Sequence, residues 1–340
     1  VKIFYSETHR KHEPPFEVFD GGLRTPYLEN PDRMDRILNA LNRENWGEIL
    51  APTDYGLDPI YAVHDKDYID FLASCWTEWL DSDPKDSSVL LPATFALRRN
   101  PQRPTSLLGR AGYYMMDLSA CIVEGTYQAA LASVNCALSA AQEVSDGVRS
   151  AFALCRPPGH HAGKDYAGGY CFINNASVAV NWLSLKGKVA LLDIDYHCGN
   201  GTQDIFYERN DVLTISIHAD PNFEYPHFAG YANETGAGVG LGFHKNFPLN
   251  KGTDDAEYLS TLEEALSLIR KFGAKYLVLS AGMDIYAEDP LGTIKVTTDG
   301  IREIGKRISA LDLPTAIIME GGYANEVLGE NIVSLLREFR

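Results

Sequence analysis

Apolar residues in this chain fall into short unbroken runs rather than alternating ones. Lys2–Tyr5, Ala151–Cys155, Val189–Ile194, Val212–Ile217, Tyr276–Ala281 and Thr315–Met319 are each rich in Val, Ile, Leu or Ala. Such runs fit strands covered on both faces, as those of parallel sheets are. Segments with helical spacing lie between them. Asp32–Asn45 opens after Pro31 and carries Met34, Ile37, Leu38 and Leu41 at helical spacing. Glu124–Val144 is Ala-rich, and Asn174–Leu185, Asp254–Phe272, Thr298–Leu311 and Asn325–Phe339 continue the alternation. Strand–helix alternation predicts one α/β sheet of mostly parallel strands. No internal repeat, low-complexity tract or interdomain linker interrupts the 340 residues, so a single domain over 1–340 is expected.

Trp79 to Asp117 departs from this pattern. It holds Pro84, Pro92, Pro101 and Pro104 and little periodicity, which predicts a long insertion loop. The segment is not polar: Leu90, Leu91, Phe95, Leu97, Leu107, Leu108, Tyr113 and Tyr114 would form an exposed patch on a lone chain. The expectation is a homodimer built through 79–117 that narrows the mouth of a site.

Composition narrows the function classes. With 45% hydrophobic and 22% charged residues a globular core is expected. No run reaches the length of a membrane span. The opening VKIFYSETHRKHEPP has no apolar signal-peptide core, and a cytoplasmic location is expected. There are 46 acidic and 30 basic side chains, a net charge of −16. That balance argues against nucleic acid as a partner and suits a small cationic substrate. The six cysteines, Cys75, Cys121, Cys136, Cys155, Cys171 and Cys198, form no CxxC pair, so a cysteine-based zinc site has no support.

Ligands of open parallel sheets bind outside the carboxyl ends of the strands. The residues at those ends are chemically loaded. Arg156-Pro157-Pro158-Gly159-His160-His161 follows one run, Asp195-Tyr196-His197 another, and His218 a third. Gly282-Met283-Asp284 and Glu320-Gly321-Gly322-Tyr323 follow two more. Asp195, His197 and a distant carboxylate such as Asp284 make three oxygen and nitrogen ligands with an open position for water, as catalytic zinc requires. Fe²⁺ or another divalent ion suits the same set. The adjacent His160 and His161, held by two prolines and a glycine, suit a general base beside activated water. Tyr323, on a glycine turn, can donate to a developing oxyanion.

RPPGHHA, GGYCFINNASVA, LLDIDYHCGNGTQ, SAGMDIYAEDPLG and MEGGY occur in this order from about residue 150 onward. Together they resemble the histone deacetylase family. The N-terminal SETHRKHEPPFEVFDGG and PYLENPDR, with the 79–117 insertion, are similar to the bacterial acetylpolyamine amidohydrolases of that family. The resemblance implies an arginase-like three-layer α/β fold with a central, mostly parallel eight-stranded sheet flanked by helices. It implies Asp195, His197 and Asp284 as zinc ligands, Tyr323 as the group polarising the acetyl carbonyl, and His160 and His161 as the tandem histidines. Gly169, Tyr170 and Tyr225 would line a narrow tunnel. Structural K⁺ or Na⁺ is implied at Asp193, Asp195, His197, Ser216 and Ile217, and at Phe206, Arg209, Val212 and Phe243. In some histone deacetylases the second histidine has an Asp partner; here that position is Asn200, while Asp193 remains to pair with His160. The two histidines should therefore differ in basicity.

The expected reaction is metal-assisted removal of an acetyl group from an acetylated polyamine or another small cationic amine. Acetyl-lysine in a protein is the alternative substrate, and a binding protein without turnover is the reading from a different class. Glu17, Asp20, Glu29 and Asp117 are candidate carboxylates for distal ammonium groups, Glu17 foremost.

Overall fold

A computed structural model describes residues 1–19, 22–96 and 102–339. Asp20, Leu97 and Pro101, named above, lie outside the described residues. In chain order the first elements are β1 (Lys2–Phe4), β2 (Glu17–Phe19), β3 (Leu23–Thr25), α1 (Asp32–Arg43), β4 (Ile49–Leu50), α2 (Asp58–Tyr61), α3 (Lys66–Asp81), α4 (Leu107–Tyr114) and α5 (Thr126–Ser145). Then come β5 (Ser150–Ala153), α6 (Asn175–Ser184), β6 (Val189–Asp193), α7 (Asn200–Phe206), β7 (Val212–Ala219) and β8 (His244–Leu249). The chain closes with α8 (Asp255–Phe272), β9 (Tyr276–Ala281), α9 (Thr298–Ser309), β10 (Thr315–Met319) and α10 (Leu328–Leu336). All strands except β2 and β3 join one eight-stranded sheet in the order β4-β1-β5-β10-β9-β6-β7-β8. Each neighbouring pair in it is parallel. This is the mostly parallel α/β sheet with flanking helices that the apolar runs predict.

The unbroken runs are buried throughout: every residue of β5, β6, β7, β9 and β10 is buried. Two helices show how the alternation is punctuated. In α8 the Asp254 side chain accepts a hydrogen bond from the Glu257 N–H, and Gly273 ends the helix in the left-handed region at φ 70°. Acids fill its first turn and Arg270 and Lys271 its last, as the helix dipole favours. The Asn174 side chain caps α6 by accepting from Ser177 N, which fixes the chain leaving the Gly168–Ile173 segment.

β5, β10, β9 and β6 lie side by side in the middle of the sheet, so their C-terminal loops meet. The His160-His161 segment, the Asp195–His197 turn, Asp284 and the Gly321–Tyr323 turn all leave this edge. One strand end does not take part: β7 runs on to Ala219, which places His218 inside it, bonded to Ser216 Oγ at 2.7 Å and to the Gly230 carbonyl at 2.9 Å.

The 79–117 segment differs from the expected loop. It begins inside α3 and contains α4. Most of its apolar residues pack into their own chain: Leu90, Ala111 and Tyr114 are buried, and the Tyr114 ring lies 5.1 Å from that of Phe71. Leu90 and Ile122 exchange backbone hydrogen bonds, 2.8 and 3.3 Å. Leu108, 43% exposed, is the large apolar side chain of the described segment that does face outward beyond α3. The expected exposed patch is thus largely turned inward: α4 gives Leu107, Tyr113 and Tyr114 a helical face to pack against the core, and Leu90 is held by its pairing with Ile122. No described helix is long and apolar enough to cross a membrane.

Candidate active site

Asp195, His197 and Asp284 offer three ligand atoms within 4.8 Å of one another. β6 ends before them, at Asp193. The chain then turns through two side-chain-to-backbone bonds, Asp195 N–H to Asp193 Oδ1 at 3.0 Å and His197 N–H to Asp195 Oδ1 at 2.9 Å. His197 Nδ1 lies 3.3 Å from Asp195 Oδ1 and 3.1 Å from Asp284 Oδ2. The outer carboxylate oxygens are pinned by backbone donors: Gly321 N–H to Asp195 Oδ2 at 2.9 Å and Tyr196 N–H to Asp284 Oδ1 at 2.8 Å. A Cβ at position 321 would stand 2.5 Å from Asp284 Oδ2 and 2.7 Å from Asp195 Oδ2, so the turn needs glycine there. Both carboxylates are fully buried. Burial, and then the charge of Asp195, push the Asp284 carboxyl up to about 7. Burial pulls His197 down, but its bonds to both carboxylates and their charges outweigh that and raise it. Two buried carboxylates facing one imidazole nitrogen could hold a divalent cation, whose charge would remove their mutual repulsion.

The tandem histidines pack with ring centroids 4.0 Å apart and planes tilted by 46°, but differ in partner. His160 Nδ1 lies 3.0 Å from Asp193 Oδ2; His161 Nδ1 lies 2.7 Å from Asn200 Oδ1. Burial lowers His160, yet the charges of Asp195 and Asp193 and the Asp193 hydrogen bond lift it to about 10. His161 is held well below its ordinary value by burial, then by the neighbouring His160 and His197. The amide oxygen of Asn200 accepts a hydrogen bond from the Nδ1–H of a neutral His161 and leaves Nε2 with its lone pair. Glu320 ties this loop to the end of β10: Gly159 N–H and His160 N–H donate to its Oε2 at 2.7 and 3.2 Å. Burial pushes that carboxyl up to about 7.

Tyr323 stands at the end of the β10 turn. Its N–H and that of Ala324 donate to Asp289 Oδ2 at 2.6 and 3.0 Å. Arg33 grips the same turn, donating to the Gly322 carbonyl at 2.8 Å and the Glu320 carbonyl at 2.7 Å. Its guanidinium lies 4.8 Å from the Tyr323 ring centre. Burial holds the Tyr323 phenol well above its ordinary value, so the hydroxyl keeps its proton. Asp289, Arg33 and Glu320 are functional supports that the reading of strand ends missed or left without a role.

A cavity of about 470 Å³ is lined by His160, His161, His197 and Tyr323 and by Gly169, Tyr170, Tyr225 and Asp117. Gly169 and Tyr170 are consecutive left-handed residues, φ 51° and 67°. A non-glycine residue in that region costs on the order of 1–3 kcal/mol. Asp117 Oδ2 holds one of them by accepting from Gly169 N–H at 2.7 Å, and also accepts the Tyr225 hydroxyl at 2.6 Å. Asp117 and Glu224 are the carboxylates on the lining, and no described lining residue is Lys or Arg.

Two rim candidates are corrected. Glu17 is fully buried, accepting the Tyr170 hydroxyl at 2.6 Å and Leu28 N–H at 2.9 Å. Burial pushes its carboxyl up to about 7. Glu29 is fully buried between Arg33, at 2.7 Å, and Arg156, at 3.0 Å. Breaking a buried ion pair of this kind costs on the order of 3–5 kcal/mol, so Glu29 is spent on the fold. Neither reaches solvent to meet an ammonium group. Of the residues read for monovalent cations, Asp193, Asp195 and His197 lie at or just past the end of β6, and Ser216 and Ile217 lie within the neighbouring β7, where Ser216 pairs with Asp193. Phe206, Arg209, Val212 and Phe243 gather where α7 leads into β7; there the Phe206 and Phe243 carbonyls accept from Arg209 N–H and Thr214 N–H, each at 3.0 Å.

Comparison with known proteins places the chain in a family. The histone deacetylase domain model matches residues 27–339. Acetylpolyamine amidohydrolase 2 of Pseudomonas aeruginosa is 46% identical over 338 residues, covering 98% of this chain and 97% of that protein. The acetylpolyamine amidohydrolase of Mycoplana ramosa is 41% identical over 340 residues, covering 99% of each. The crystal structure of an acetylpolyamine aminohydrolase from Burkholderia pseudomallei superposes with a TM-score of 0.95 at 40% identity, over 99% of this chain and 98% of that one. The chain belongs to the histone deacetylase family and is one of its deacetylase enzymes.

Proposed function

We propose that this enzyme hydrolyses the acetyl amide of acetylated polyamines or closely related small cationic amines. The observation that carries this is the donor cluster of Asp195, His197 and Asp284, which meets through His197 a cavity whose lining carries the carboxylates of Asp117 and Glu224 and, among the described residues, no Lys or Arg. The chain's net charge of −16 and its full-length likeness to acetylpolyamine amidohydrolases support the same substrate class. The enzyme is read as one catalytic unit over the whole chain, working in the cytoplasm.

Asp195, His197 and Asp284 would hold zinc, or Fe²⁺, which when bound supplies Lewis acidity toward the acetyl oxygen and acidifies the attacking water. His161 takes that water's proton on Nε2, the nitrogen that Asn200 leaves free. Tyr323 donates its hydroxyl to the tetrahedral oxyanion. A histidine returns a proton to the leaving amine; His160, held charged beside Asp193, steadies the developing negative charge. Tyr170, Gly169 and Tyr225 admit a slim alkyl chain, and Asp117 puts negative charge beside it.

The roles of the histidines are separable. His161→Ala is expected to lower turnover about tenfold or more below His160→Ala when metal content is matched, the span of a lost general base. The reverse ranking transfers the base role to His160. The substrate assignment is tested by acetate release from zinc-loaded enzyme across acetylated diamines, longer acetylated polyamines and acetyl-lysine peptides. Higher kcat/KM on the peptides would overturn it. K⁺ or Na⁺ at the two backbone-rich groups, and a homodimer through 79–117, complete the reading; elemental analysis and sedimentation of the purified enzyme check both.

A further inference from the structure

Glu17 is a carboxyl with an unusual placement. It is fully buried on the β2–β3 hairpin, one residue before Val18, which lines the cavity. Both of its oxygens are in use, Oε1 by Leu28 N–H and Oε2 by the Tyr170 hydroxyl. No Lys or Arg side chain is recorded within ion-pairing distance of it among the described residues. Among the described residues, its one side-chain partner is the Tyr170 phenol, whose residue lines the cavity. The Tyr170 ring sits between two others, 5.2 Å from Tyr27 in a T-shaped contact and 5.7 Å from Tyr323. Its backbone is left-handed and follows a left-handed glycine. Backbone of that kind persists where the surroundings over-determine it. Here two carboxylates do so: Asp117 from the Gly169 N–H and Glu17 from the far tip of the ring.

We propose that Glu17 is a positioning residue for substrate selection, holding the Tyr170 ring where it narrows the cavity to an unbranched chain. The inference rests on the reading of the substrate as a slim acetylated amine. It assigns Glu17 an action through Tyr170 rather than a contact with the substrate's ammonium groups. A residue acting in this way affects binding of the chain more than the chemistry at the amide, so its loss falls on KM.

The test is a double-mutant cycle on zinc-loaded enzyme with a mono-acetylated diamine and a branched acetylated amine. Tyr170→Phe removes the hydroxyl alone. Glu17→Ala and Tyr170→Phe are each expected to raise KM for the linear substrate about tenfold, the size of one charge-assisted hydrogen bond. Preference over the branched amine falls by a similar factor. The double variant is expected to lose no more than either single one, because both remove the same bond. Glu17→Gln recovers most of the loss, since its amide can accept from Leu28 N–H and donate to the Tyr170 oxygen. Additive losses, or an unchanged KM in Tyr170→Phe, overturn the inference. Calorimetric binding of the free diamine by the same four proteins reads the positioning without turnover. Wild-type enzyme that binds the free diamine but releases no acetate from the mono-acetylated one would defeat the proposed reaction, and the cycle in binding would still decide the role of Glu17.

Discussion

Asp284→Ala is expected to leave a folded chain without its divalent metal and with turnover lower on the order of 10³-fold or more. The size follows from losing several kcal/mol of Lewis-acid stabilisation, at about 1.4 kcal/mol per factor of ten. Asp284 is fully buried, and its Oδ2 faces the same His197 nitrogen that Asp195 faces. Burial first, and then the charge of the adjacent Asp195, push the Asp284 carboxyl up to about 7. Removing Asp284 relieves the repulsion from Asp195, which offsets the loss of its bonds to the Tyr196 N–H and His197, so the metal-free variant is expected to stay folded at the assay temperature, as its melting curve checks. Lost activity therefore cannot be blamed on unfolding. Zinc should raise the melting temperature of wild type, because it binds the native state, and leave that of Asp284→Ala nearly unmoved. Elemental analysis showing one metal per chain in the variant, with normal acetate release, would defeat the ligand assignment.

The central strands were legible because each is buried on both faces, and that leaves an unmistakable apolar run. β9 and β10 match the expected bounds, Tyr276–Ala281 and Thr315–Met319. The elements missed are those whose burial is partial or whose length is small. β8, His244–Leu249, is an edge strand with buried and half-buried positions mixed and Pro248 within it. β4 is two residues long and lies at the other edge. α3 is a different case. Tyr68, Leu72 and Cys75 are buried at helical spacing after Asp65, so its signal was present in the sequence. α4 was hidden by the prolines around it, which made the whole of 79–117 read as loop.

The site divides along the same line. Asp195, His197, Asp284, the histidine pair and Tyr323 could be named because the ends of parallel strands converge and the chemistry at those ends is local in sequence. The supports could not, because their meaning lies in distant partners. Glu17 and Tyr170 are 153 positions apart, and Arg156 and Glu29 are 127 apart. A carboxylate in an N-terminal segment reads the same whether it faces solvent or a phenol. Glu29 did carry a local hint, since Arg33 follows at i+4 on α1. It pointed to a paired acid rather than a free one. The difference between Asp193 and Asn200 as histidine partners was readable, because each lies in the same strand-end segment as the metal ligands.

Tyr323→Phe is expected to keep the fold and the metal and to lose on the order of 10²–10³-fold in kcat, the cost of removing one oxyanion donor. The ring will stay in place without its hydroxyl. Asp289 holds the turn through the backbone of residues 323 and 324, Arg33 holds it through the Gly322 and Glu320 carbonyls, and the Tyr170 ring packs 5.7 Å away. None of these contacts uses the phenol oxygen. Burial keeps the wild-type hydroxyl protonated well beyond neutral pH, so a donor is available throughout the range in which His161 is neutral. Because the missing bond forms to charge that develops in the transition state, kcat and kcat/KM should fall together while the binding of substrate changes little. The variant should then hold an acetylated diamine intact with zinc at full occupancy. A saturated rate within a few-fold of wild type would show that the oxyanion is met by another group, and an equal loss in substrate affinity would place Tyr323 in binding instead.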